Sequence, residues 1–193
     1  AITVKDEDEL LEAKLTTGNS QILLAVKSGK AIRFEEDKTR PMGRNASGVR
    51  GITLGGPNDE VIGMVAVSDS ETEILVVSEN GYGKRSSLED YRTTNRGGKG
   101  VKTLSITEKT GDLVSIKNVN DLDDLMIINK SGIAIRMDVA DLRVMGRATQ
   151  GVKLINLKGA DTIAAVAKVM KDDEEIPEIT KDEFNLESDD TKH

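Results

Sequence analysis

The chain contains no cysteine, which excludes a disulfide framework and any thiolate-ligated metal. Its one histidine, His193, is the last residue, a poor place for the base of a Ser–His triad. Tryptophan is absent and aromatics make up only 2% of the sequence, so a core has to be assembled from Val, Ile, Leu, Ala and Met. No apolar run approaches the roughly 20 residues that cross a bilayer as a helix. No basic segment followed by an apolar one opens the chain in the manner of a secretory signal. These absences point to a cytoplasmic protein.

A net charge of −7 argues at first sight against a polyanionic partner. Its distribution argues otherwise. Residues 170–193 hold three lysines and ten carboxylates, and residues 1–19 hold two lysines and five carboxylates. The stretch 20–169 keeps 22 basic and 19 acidic residues and is therefore mildly basic. For a polyanion, the placement of positive charge matters more than its sum. The acidic end, 170–193, has few apolar positions and reads as a disordered tail, able to compete with a polyanion for the basic body.

What the chain does have is a repeat. ILLAVKSGKAIRF from Ile22, ILVVSENGYGKRS from Ile74 and LMIINKSGIAIRM from Leu125 superpose without gaps. Gly29, Gly81 and Gly132 share one place in the unit, and Arg33, Arg85 and Arg136 share another. Further on, Gly48-Val49-Arg50 returns as Gly100-Val101-Lys102 and Gly151-Val152-Lys153. Each unit reads as four short strands: an apolar run, a Gly turn and return strand, a polar loop, a strand starting at the Gly-Val pair, and a last strand such as 61–67. About 50 residues for four strands is the size of a propeller blade, so the expected fold is all-β. Three blades are expected at about 20–70, 71–122 and 123–169. Residues 1–19 match the last two strands of a unit, Ile2-Thr3-Val4 answering to Ile52-Thr53-Leu54, which makes about three and a half repeats and implies a longer protein upstream.

The stretches KSGKAIRFEEDKTRPMGRNASGVRGITL (27–54), NGYGKRSSLEDYRTTNRGGKGVKTLSITEKTGDLVSIKNV (80–119) and MGRATQGVKLINL (145–157) resemble the C-terminal domain of DNA gyrase A. The resemblance covers about residues 1–169 and implies a β-pinwheel, a propeller-like disc whose neighbouring blades exchange strands and whose basic rim wraps duplex DNA. It places this chain at the end of the fourth-last blade and across the last three. Thr94-Asn95-Arg96-Gly97-Gly98-Lys99-Gly100 looks like a relic of the family's Gln-Arg-Arg-Gly-Gly-Lys-Gly box, departing at its first two positions. The same resemblance implies that the catalytic tyrosine lies in an upstream breakage-reunion domain of the parent type IIA topoisomerase. ATP and Mg²⁺ likewise belong elsewhere, with ATP on the gyrase B partner in the heterotetramer, so no cofactor is expected in this chain. The corresponding domain of topoisomerase IV and a protein-binding β-propeller scaffold are the alternatives.

Basic residues recur at equivalent places. Lys30 and Arg33, Lys84 and Arg85, and Arg136 lie on the return strands. Arg40 and Arg44, then Arg92, Arg96 and Lys99, then Arg143 and Arg147 lie in the long loops, and Arg50, Lys102 and Lys153 follow the Gly-Val pairs. In a disc of blades, one place in the unit maps to one height and radius. Such residues form a curved stripe suited to phosphates along bent duplex, with counterion release as the driving force. For Arg33, Arg85 and Arg136 a repeated structural ion pair explains the pattern equally well. No recognition helix or zinc module is present, so binding is expected to be largely independent of base sequence. No catalytic or metal site is expected. Gly97-Gly98-Lys99-Gly100 is not a P-loop, Tyr82 and Tyr91 read as packing or turn residues, and the acidic runs 6–9 and 172–175 read as solvated charge.

Overall fold

The computed structural model describes residues 2–67 and 73–170; the expected disordered tail falls, from residue 171 onward, outside the described residues. Among the described residues eleven strands form three antiparallel sheets, joined by loops that carry three short 3-10 turns at Glu36–Lys38, Leu88–Asp90 and Val139–Asp141. The first sheet contains β1 (Gln21–Val26), β2 (Lys30–Glu35) and β3 (Val61–Val67). The second contains β4 (Glu73–Ser78), β5 (Tyr82–Ser87) and β7 (Leu113–Val119), and the third β8 (Asp123–Asn129), β9 (Ala134–Asp138) and β11 (Ile163–Met170). In each, the first hairpin strand is central and pairs on one side with its return strand, on the other with the last strand of the unit.

The central strands show why the units assemble. Ile74, Leu75, Val76 and Val77 are all fully buried, because both faces of the second sheet are covered. Ile74 and Val76 pack with Leu23, Ala25 and Val65 of the first sheet. Leu75 and Val77 pack with Leu125, Ile127 and Ile163 of the third. An uninterrupted β-branched and Leu run is what a doubly covered strand requires, and each such side chain contributes about 1.5–3 kcal/mol on burial. A register shift falls at Ala25/Val26 in β1 and at the equivalent Val77/Ser78 in β4, so even the local bend of the strand is repeated. The hairpin glycines adopt the expected left-handed conformation, with φ of 78° at Gly29, 77° at Gly81 and 86° at Gly132.

The Gly-Val strands do not belong to the unit that encodes them. β6 (Val101–Lys102) pairs with β2 of the first sheet, Lys30 opposite Lys102 and Ala31 opposite Val101. β10 (Val152–Lys153) pairs with β5 of the second sheet, Tyr82 opposite Lys153 and Gly83 opposite Val152. Each repeat thus lends a strand to its predecessor, the exchange that the family resemblance implied. Gly48-Val49-Arg50 forms no strand. The third sheet accordingly has three strands, with β9 at its edge among the described residues.

Residues 2–19 correct an expectation. They form no strand, although the repeat aligns them with the end of a unit. A unit's last strand is held by pairing with that unit's first hairpin strand, as β3 is by β1, and among the described residues 2–19 have no such hairpin to pair with. The segment instead lies on the first blade through isolated contacts, Thr3 N–H to Ala46 O at 3.3 Å and Thr16 Oγ1 to Glu36 at 2.8 Å.

Candidate nucleic-acid interface

The joint between neighbouring units decides which cations are free. Arg33 donates Nη1 to Leu88 O at 2.9 Å and to Tyr91 O at 3.0 Å, capping the carbonyls of the next repeat's 3-10 turn. Its Nε is held by Gln21 Oε1 at 2.7 Å. Arg85 repeats the arrangement one unit on. It donates to Leu142 O and Ala140 O of the following turn and to Glu73, the equivalent of Gln21, at 2.7 Å, with Asp121 as a further partner. Arg136 keeps only the within-blade half, Nε to Asp124 at 2.6 Å, and its side chain is 52% exposed. Of the two readings open for this column of arginines, the structure places Arg33 and Arg85 in ties between blades. Their donors are already engaged within the protein, which is the structural reading of the two. The sequence carried a signal for this: twelve residues before each arginine stands a hydrogen-bond acceptor, Gln21, Glu73 or Asp124.

Lys84 also leaves the rim. It is fully buried, and its Nζ donates to Gly146 O at 2.5 Å, tying the second blade to the Met145-Gly146-Arg147 loop of the third repeat. Burial pushes its pKa down to about 8, opposed by Asp90 and reinforced by the nearby Arg147 charge. The aligned residues are Ile32 and Ile135, so an apolar column was visible and the charge of Lys84 obscured it. Tyr91 is fully buried with its hydroxyl against that of Thr103, and burial raises its pKa. Tyr82 lies 5.3 Å beneath Lys109 Nζ. Neither tyrosine is placed for chemistry.

The remaining candidates stay at the surface. Arg40, Arg92 and Arg143 follow the three 3-10 turns at one equivalent position, and all are exposed. Arg44, Lys99, Arg50, Lys102 and Lys153 are exposed as well, and Lys30 is half-buried beside Lys102, its cross-strand partner. Among the described residues none of these makes an ion pair; the carboxylates pair instead with Lys14, Lys27, Lys38, Arg85, Arg136 and Lys168. Arg96 and Arg147 have a double character. Arg96 Nη1 donates to Arg50 O at 2.9 Å and Nε to Lys38 O at 2.8 Å, while Arg147 Nη1 donates to Lys102 O at 2.9 Å. Each is thereby drawn onto the Gly-Val segment of the preceding repeat, next to the cation at its end. The loop 94–100 closes over β2 around a cleft of about 210 Å³ lined by Arg33, Arg92, Asn95, Gly98 and Lys99. The whole is a set of cationic groups at each unit joint, repeated along the array and lacking acidic partners.

A family model described as the DNA gyrase C-terminal domain, beta-propeller, matches residues 21–68, 72–120 and 123–170, one match to each repeat. The chain belongs to this family. It is 49% identical over 175 residues to the DNA gyrase A of Staphylococcus epidermidis strain ATCC 12228, covering 90% of this chain and 20% of the relative. The DNA gyrase A of Staphylococcus aureus strain NCTC 8325 is 49% identical over 176 residues, covering 91% and 20%. The chain thus spans about a fifth of the length of the curated relatives it matches. Among solved structures, a DNA gyrase A C-terminal domain superposes with a TM-score of 0.80 at 25% identity, over 88% of this chain and 57% of that one. The C-terminal domain of a DNA topoisomerase IV superposes at 0.82 with 22% identity, over 88% and 52%, a likeness of fold. Within the gyrase C-terminal domain family the exchanged strands and the basic loops of this chain fall into place as one design. The loops that carry the exposed arginines are the same loops that reach back to lend a strand.

Proposed function

We propose that this chain is the duplex-binding and DNA-wrapping part of a DNA gyrase A, working in the cytoplasm within the ATP-dependent supercoiling enzyme. The observation that carries the reading is the triplet Arg40, Arg92 and Arg143, exposed at one place in each unit and free of protein partners among the described residues. Counterion release at such a periodic row favours a bent duplex over a straight one, because only a curved path meets every blade. The reacting tyrosine, the ATP and Mg²⁺ sites and the contacts with gyrase B belong to the remainder of the parent assembly. Sequence identity near one half favours gyrase over topoisomerase IV. A protein-binding scaffold would present aromatic anchors. Among the described residues the exposed large apolar side chains include no aromatic, and Phe34 is buried.

The test is the salt dependence of duplex binding by the whole chain. Log K falls linearly with log[salt], with a slope of about −0.9 per phosphate neutralised. The triple variant Arg40→Gln, Arg92→Gln, Arg143→Gln flattens that slope and weakens all duplex sequences alike. An unchanged slope removes these arginines from the interface and the reading with them.

A further inference from the structure

Lys84 is a cation that the fold does not need where it stands. It is fully buried, its hydrogen bond runs to the neutral Gly146 O, and among the described residues it makes no ion pair. The charged groups around it oppose one another: Asp90, at the end of the second 3-10 turn, favours its proton and Arg147 disfavours it. Tyr91 is buried with a raised pKa and stays neutral. From the neighbouring strands, β4 sets Val76 opposite Lys84, and β10 sets Val152 and Lys153 opposite Gly83 and Tyr82. A buried charge without a partner costs stability, and the two aligned places hold isoleucine, Ile32 and Ile135.

The two completed joints show what offsets that cost. In the first, Ile32 lies under the loop, its Cδ1 3.3 Å from a Cβ placed on Gly98, and the loop itself carries the exposed Lys99. In the second, Gln150 stands in the place of Lys99 and Lys84 in that of Ile32. Each joint keeps one lysine here, above the loop in one and beneath it in the other. The covering layer is thin. Gly146 is exposed, a Cβ on it would meet nothing within 4 Å, and its own carbonyl receives the ammonium. We infer that Lys84 is a duplex-binding residue that acts from beneath the rim: a backbone phosphate seated over Gly146 and Arg147 is the counter-charge its ammonium lacks. The inference rests on the duplex-binding reading above and couples that binding to a proton. A phosphate over the loop favours the charged amine, so bound duplex raises the pKa of Lys84 from about 8 in the free chain. Binding therefore takes up a proton, and affinity, full below pH 8, is lost as the pH rises through the window above it. Ordinary lysines and arginines titrate well above that window.

The experiment is the affinity of the full chain for a duplex, by fluorescence anisotropy at about pH 7 and about pH 9.5. Three proteins are compared: the unaltered chain, Lys84→Ile, and Lys84→Ile combined with Gln150→Lys. The unaltered chain loses affinity by on the order of fivefold between the two pH values. Lys84→Ile binds more weakly by a similar factor at neutral pH, shows a flat profile, and meets the unaltered chain at high pH. Adding Gln150→Lys, which returns the lysine to the loop surface as in the first joint, restores the affinity without the pH dependence. The terminal amine titrates in the same range but is common to all three proteins. An unaltered chain whose affinity is the same at both pH values overturns the inference without any variant. Lys84→Ile that binds as tightly at neutral pH, or keeps the pH profile, also overturns it, and the duplex-binding reading stands. A double variant that stays weak makes the part of Lys84 structural and overturns it as well. An unaltered chain that binds no duplex ends both.

Discussion

The second and third blades are written in nearly the same residues, yet they are different environments. Arg85 and Arg136 occupy one position, with side chains 8% and 52% exposed. Gly81 and Gly132 share a turn conformation, yet a Cβ on Gly81 would lie 2.7 Å from Ile155 Cγ2 while one on Gly132 would stand in open space. In β4 both faces are buried, whereas in β8 Leu125 and Ile127 are buried and Ile128 is 36% exposed. The difference arises from the following repeat. A blade's own sequence makes its hairpin, and the next unit turns that hairpin into a buried element.

The largest expected effect is at the arginine column. Arg85→Ala strands Glu73 and two turn carbonyls at a buried joint and destabilises the chain by about 3–5 kcal/mol. Arg136→Ala takes a half-exposed guanidinium from the buried carboxylate of Asp124 but breaks no tie to a following turn, and costs about 1–3 kcal/mol. Urea unfolding compares them, and equal costs break the contrast between the blades. The glycine column gives a smaller effect. Gly81→Ala and Gly132→Ala both carry the left-handed backbone strain of about 1 kcal/mol, and only Gly81→Ala adds overpacking of about 1–3 kcal/mol.

The smallest effect is at Lys84 and depends on pH. Its folded pKa of about 8 lies below the ordinary 10.5, so between those values the unfolded chain binds more protons than the folded one. Stability therefore rises with pH across that window, and below it the penalty of the buried charge is constant. Lys84→Ile, which installs the residue of the other two repeats, stabilises the chain at neutral pH by about 1–2 kcal/mol. The loss of its bond to Gly146 O is tolerable, since Thr149 N–H and Oγ1 donate to the same oxygen. The gain shrinks as the pH approaches about 10. Chemical denaturation at both pH values checks this, and a gain that grows with pH refutes the assignment.

Much of what is local in this fold was legible in the sequence, although the 3-10 turns were read only as polar loop. Hairpin strands, glycine turns and the strand 61–67 lie where apolar runs and turn chemistry put them, because register in a hairpin is set by its own few residues. Ownership of the Gly-Val strands was not readable from the residues alone, since Lys30 meets Lys102 across an entire unit and no local period records that pairing. The expected strands in 2–19 failed for the same reason: a strand assignment tacitly assumes its partner. At the candidate site, the exposed loop arginines could be read directly. Lys84 could not, because a lysine reads as surface until its column is seen to hold isoleucine.

The half-unit offset between repeat and blade has a consequence for how such a protein changes size. Duplicating one repeat adds one lent strand and one borrowing edge at once, so each added unit brings its own pairing with it. Deleting a whole repeat preserves the same balance. An array with this property can gain or lose members without a new kind of joint, and its row of exposed arginines then changes in whole steps of one blade.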